Sequence, residues 1–141
     1  MIRFLIIFML AQAVLFGLEM LQPVQQQVIL PWTSLIADIS GWFMSFFDAN
    51  VIASGKVISH SINGFAVSIE PGCNGVEAMI VLLAAIGAFP APWLYKLKGL
   101  MWGFLAIQGM NLLRIISLFY LGQWSRELFD RAHLYVWQAL I

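Results

Sequence analysis

Four side chains in this sequence could carry chemistry together: Cys73, Glu77, Arg114 and His133. Cys73 is the single cysteine of the chain and stands in the run Glu70-Pro71-Gly72-Cys73-Asn74-Gly75, where a helix is expected to start. Free backbone N–H groups at a helix N-terminus carry partial positive charge, which favours thiolate, the nucleophilic form of cysteine. Glycines on both sides let another backbone approach the sulfur. The competing reading is an inert thiol packed as a small hydrophobe.

Arg114 lies inside an otherwise apolar stretch, seven residues before Leu121. On a helix that places it roughly 10 Å below the end of the span. A charge at such depth usually lines a cavity or pairs with another charge, the competing reading being a side chain that snorkels to the surface. Gln108, Asn111 and Arg114 recur every three residues, a polar stripe on an apolar helix. Glu77 follows Cys73 by four residues, on the same helical face and about 6 Å deeper. Glu77 and Arg114 then share a depth, and a pair between them would offset the desolvation of each. The alternative is a protonated carboxyl in an apolar site. His133 opens the last apolar stretch, and imidazole is the side chain best suited to move a proton near neutral pH. His60 falls in an expected turn and reads as a solvated loop residue.

The elements that must position these groups are set by composition. The chain has 141 residues, 62% of them hydrophobic and 10% charged, with mean hydropathy +0.89. Soluble domains carry about 45–50% apolar and about 25% charged residues. A single membrane domain over residues 1–141 follows, with the lipid bilayer as its first partner. Seven basic against seven acidic residues leave no basic footprint for nucleic acid. One cysteine and two histidines exclude a disulfide or Cys-based metal cluster and leave little room for any metal, so no metal or cofactor is expected.

Crossing helices are expected at about 2–21, 74–89 and 97–121. Ala11-Gln12-Ala13 resembles a signal-peptide cleavage site, but the apolar run continues to Leu21, which favours an uncleaved anchor. Residues 28–47 read as an amphipathic helix lying in the interface, with Val28, Trp32, Leu35, Ile36, Ile39, Trp42, Phe43, Phe46 and Phe47 on one face. The other face carries Thr33, Ser34, Asp38, Ser40 and Ser45. A short β-hairpin is expected over 51–69, outside the bilayer core because its edges would be unpaired there. Gly122 to Arg131 reads as a charged loop, and a partial last helix begins at His133, the nine residues to Ile141 being too few to span. Arg3, Lys96 and Lys98 mark the cytoplasmic side, so Cys73 and His133 face the extracytoplasmic side. The fold class is thus an all-α integral membrane protein: a small multi-span helical bundle with an interfacial amphipathic helix and a short extracytoplasmic hairpin.

Glu70-Pro71-Gly72-Cys73-Asn74-Gly75, Asn111-Leu112-Leu113-Arg114-Ile115 and His133 near a last helix together resemble the exosortase/archaeosortase family. Gly72–Pro92 and Asn111–Phe129 resemble most its short form, exosortase H, and the likeness runs from about Val24 to the end. The resemblance implies a multi-pass protein of the bacterial inner membrane, a cysteine transpeptidase that processes membrane-anchored proteins bearing a C-terminal sorting signal. That signal is a short motif, a transmembrane helix and a basic tail. By the same resemblance Cys73 is the nucleophile, Arg114 the essential arginine and His133 the essential histidine. Family members end in a complete helix after the histidine, whereas this chain stops at Ile141. Glu77 lies outside the family trio.

The chemistry expected is thioester formation at Cys73, with His133 protonating the leaving amine and Arg114 stabilising thiolate or oxyanion. Backbone N–H groups near Asn74 and Gly75 are candidates for the oxyanion hole, and an amine acceptor or water releases the product. A non-catalytic membrane assembly protein, locked by a structural Glu77–Arg114 pair, is the rival. A small transporter or channel subunit is weaker, because no internal repeat is present.

Overall fold

The computed structural model describes residues 1–137. Helix α1 (Ile2–Glu19) is apolar on every side and buries only Glu19 within the chain. Leu5, Ile6, Met9, Leu10 and Val14 stay exposed, as suits a helix whose surroundings are hydrocarbon. It runs along α4 (Val76–Ala88), and Phe4 meets Phe89 edge-on with ring centroids 6.3 Å apart. Helix α5 (Trp93–Trp124) has 32 residues, about 48 Å at the helical rise. Among the described residues, α1 and α5 are the two helices long and apolar enough to cross a membrane.

The helix expected at 74–89 is shorter than expected. Helix α4 holds 13 residues, about 20 Å against a hydrocarbon core of about 30 Å. Its start is delayed to Val76 because Gly75 adopts the left-handed region (φ 76°) and the Asn74 side chain caps it, Oδ1 accepting from Val76 N–H at 3.1 Å. Pro90 and Pro92 follow its last turn and cannot continue it.

The helix expected at 28–47 begins earlier. Helix α2 (Gln22–Val24), a π-helical turn (Gln25–Ile29) and α3 (Leu30–Ser45) form one continuous run over 22–45. Its small and polar face, with Thr33, Ala37, Ser40 and Gly41, is buried against the protein rather than solvated. The Thr33 and Ser40 hydroxyls donate to the carbonyls of Ile29 and Ile36 at 2.8 and 2.7 Å, which lets them enter an apolar contact. Val28, Leu35, Trp42, Phe43 and Phe46 point outward.

Instead of a two-stranded hairpin, a three-stranded antiparallel sheet forms in the order β1 (Val51–Ser54), β2 (Val57–His60), β3 (Ala66–Ser68). Ser54 pairs with Val57, so Gly55-Lys56 is a two-residue turn, with Gly55 at φ 59° supplying the conformation such turns require. The sheet packs between α3 and α5, in a core of Ile36, Ala37, Met44, Ile58, Ile69, Ile115 and Phe119. Gly41 makes this approach possible, since a Cβ there would stand 2.9 Å from that of Ala53. His60 is not a solvated residue: its Nε2 lies 3.2 Å from Asp48 Oδ2, and Nδ1 accepts from the N–H groups of Ile62 and Asn63.

The expected charged loop is also corrected, because residues Arg126–Arg131 form helix α6. Ser125 caps it, accepting from Leu128 N–H at 3.5 Å, and Arg131 pairs with Glu127 one turn away at 2.6 Å. A π-helical turn (Ala132–Val136) then carries His133. The rest of the expected last helix, residues 138–141, lies outside the described residues.

Candidate active site

The sheet delivers the chain into the loop that holds Cys73. Lys56 and Ser68 both donate to the Glu70 carboxylate, at 2.8 and 2.7 Å, and hold it below the usual carboxylate range. From Glu70 the loop turns tightly, the Cys73 N–H donating to the Glu70 carbonyl at 2.9 Å. Gly72 and Gly75 both take positive φ, 85° and 76°. Asn74, 1% exposed, anchors the loop to α3: its amide donates to Thr33 Oγ1 at 3.1 Å, and Trp32 Nε1 donates to its carbonyl at 3.2 Å. The side chain of Asn74 therefore positions its neighbour. Among the described residues the backbone N–H groups of Asn74 and Gly75 have no protein acceptor.

Arg114 reaches this loop from α5. It is 3% exposed, so it does not snorkel, and its guanidinium donates to the Gly72 carbonyl at 3.2 Å and to Cys73 Sγ at 3.3 Å. The expected ion pair with Glu77 is not formed among the described residues. Glu77 instead turns back over the first turn of α4 and accepts from Gly72 N–H at 2.6 Å. Spacing alone could not reveal that a backbone N–H, that of Gly72, would take the carboxylate. Both line one cavity of about 250 Å³ between α4 and α5, with Gly72, Gly75, Ala78 and Asn111.

Arg114 also borders a second cavity of about 50 Å³, lined by Cys73, His133, Ile69 and Phe129 among others. That is room for one or more waters. His133 stacks on Phe129 with centroids 5.8 Å apart and rings parallel within 1°. Its Nδ1 is buried without a hydrogen-bond partner among the described residues. Cys73, Arg114 and His133 thus meet around one small space, although they come from three separate parts of the chain.

The thiolate expectation is corrected by the same geometry. Burial pushes the Cys73 thiol above the ordinary cysteine value; Arg114 opposes this, while Glu77 and Glu70 add to it. The resting group is a thiol held beside a cation, which needs a base to become a nucleophile.

Much of the α5 stripe is unsatisfied, which the sequence does not reveal. Both amide atoms of Gln108 and of Asn111, and Nε of Arg114, are buried without partners among the described residues. Each such atom costs about 1–3 kcal/mol. The stripe was visible at its three-residue spacing; its lack of partners was not. Among the described residues no group of His, Cys, Asp and Glu side chains is placed to hold a metal ion.

The family model described as Transmembrane exosortase matches residues 1–136, beginning with α1 rather than at Val24. No curated protein and no solved structure matches the chain.

Proposed function

The chain belongs to the transmembrane exosortase family, and from that premise we propose that it is a membrane cysteine transpeptidase or protease acting through a Cys73 thioester. Its substrates are membrane proteins with a C-terminal sorting signal of motif, transmembrane helix and basic tail. The site faces the extracytoplasmic side of the bacterial inner membrane. The observation that carries this reading is the meeting of Cys73, Arg114 and His133 at one cavity, with Arg114 Nη2 3.3 Å from the sulfur.

In the proposed reaction the Cys73 proton passes to His133 as the sulfur bonds to a substrate carbonyl carbon. The carbonyl oxygen becomes an oxyanion, for which Arg114 and the N–H groups of Asn74 and Gly75 are the available donors. The carbon–nitrogen bond then breaks, the leaving amine takes the proton from His133, and a thioester remains. An amine acceptor, or water, attacks the thioester and returns the thiol. Glu77 has no chemical step here; its bond to Gly72 N–H braces the loop. The non-catalytic rival loses its Glu77–Arg114 lock. What favours it is the burial that keeps Cys73 protonated, and proton transfer to His133 answers this.

Because Cys73 is the single cysteine, thiol alkylation has one target in this chain. Membranes treated with iodoacetamide are expected to lose processing in proportion to the labelled fraction. Since burial raises the thiol, labelling should keep accelerating with pH beyond the ordinary cysteine range. Fully labelled protein that still processes substrate would contradict the proposal.

A further inference from the structure

Cys73, His133 and the terminal nitrogens of Arg114 have work in the proposed reaction, yet a row of buried polar atoms beside them has none. Gln108, Asn111 and Arg114 are 7%, 2% and 3% exposed on α5. Five of their atoms, the two amide atoms of each amide side chain and Nε of Arg114, have no partner among the described residues. Comparable groups nearby are satisfied: Thr33, Ser40 and Asn74 all make hydrogen bonds. Buried polar groups in native structures are normally paired, so a cluster of unpaired ones asks for a missing partner.

The surroundings of the row indicate its shape. Asn111 and Arg114 line the cavity of about 250 Å³, whose walls at Gly72, Gly75, Ala78 and Ala106 carry little or no side chain. Gln108 stands against Gly75, where a Cβ would come within 2.8 Å of its Nε2. Small walls admit a polypeptide backbone closely, and Ile107 and Met110 give its side chains apolar contact. A primary amide side chain offers a donor and an acceptor together, the complement of a peptide group.

We propose that the Gln108–Asn111–Arg114 row is a docking ladder for the main chain of an extended substrate segment next to the bond that Cys73 attacks. This rests on the acyl-transfer reading and deepens it. A substrate helix in a bilayer keeps its carbonyls in its own hydrogen bonds, because nothing else there will pair with them. Exposing one carbonyl to the thiol means breaking several such bonds, and the unpaired atoms of the row replace them. Six residues of α5 rise about 9 Å, the length of about three residues in extended form. The row thus holds a short unwound stretch and leaves the rest of the anchor helical.

The test compares wild type, Asn111→Leu and Gln108→Leu with a membrane reporter that ends in a short motif, an apolar helix and a basic tail. An amide kept for a ligand is a liability in the empty protein, so each leucine variant is expected to unfold at a temperature higher by about 3 °C in detergent. Processing of the reporter is expected to fall about tenfold, the loss of one main-chain hydrogen bond. A reporter whose first three helix residues are glycine should narrow that gap, because it is already unwound. A lower unfolding temperature in both variants, or processing equal to wild type, would overturn the ladder. Equal processing by wild type and Cys73→Ser would overturn the acyl-transfer reading instead, since that variant leaves the row intact.

Discussion

Replacing Cys73 by serine is expected to abolish processing, with a loss of at least about 10⁴-fold, while leaving the fold intact. A serine hydroxyl is a far weaker nucleophile than a thiol at this site, because it holds its proton far more tightly against transfer to His133 and burial disfavours its anion. The structural cost is small. Cys73 is only partly buried, and among the described residues its side-chain hydrogen bond is the one it accepts from Arg114, which a serine oxygen can also accept. Reporter cleavage on a denaturing gel gives the activity, and thermal unfolding in detergent checks the fold. A Cys73→Ser protein that is folded yet processes normally would return the lead to the non-catalytic reading.

Arg114 is expected to show the second largest effect, and its two bonds separate structure from chemistry. Arg114→Ala removes the donor to the Gly72 carbonyl and the cation beside Cys73 together. The first loss lowers stability by about 1–3 kcal/mol. The second slows processing by about 10²–10³-fold, the range for removing a preorganised oxyanion donor. Arg114→Lys keeps a positive charge but cannot hold the carbonyl and the sulfur with one planar fork. Lysine should therefore regain more of the stability than of the processing rate. Full processing by Arg114→Lys would mean that the charge alone matters and the geometry described here does not.

The sequence made the long apolar elements legible because hydropathy and length alone decide them: α1 and α5 sit where the runs of apolar residues put them. The trio at the site was legible for a different reason. A lone cysteine between glycines, an arginine within an apolar span and a histidine at the next apolar boundary are conspicuous in a chain with 10% charged residues. What could not be read were the partners that short polar groups choose. Asn74 caps α4 and delays it, and Ser125 opens a helix where charge suggested a loop. Glu77 takes a backbone N–H instead of Arg114, and His60 finds Asp48 twelve residues away. Gly55-Lys56 adds a second turn to the segment expected to form a simple hairpin, and so a third strand. The helix dipole argument for Cys73 was outweighed by burial, a quantity that appears only once α5 is packed against the loop.

The most direct test of a Cys73 thioester is mass spectrometry of Cys73 during turnover. Membranes holding the protein and the sorting-signal reporter would be quenched in acid, and the peptide containing Cys73 analysed with and without hydroxylamine, which cleaves thioesters. The expected result is a reporter-derived acyl group on Cys73 that hydroxylamine removes and that Cys73→Ser lacks. Reporter cleavage that proceeds with no acyl group on Cys73, and equally well in Cys73→Ser, would contradict it.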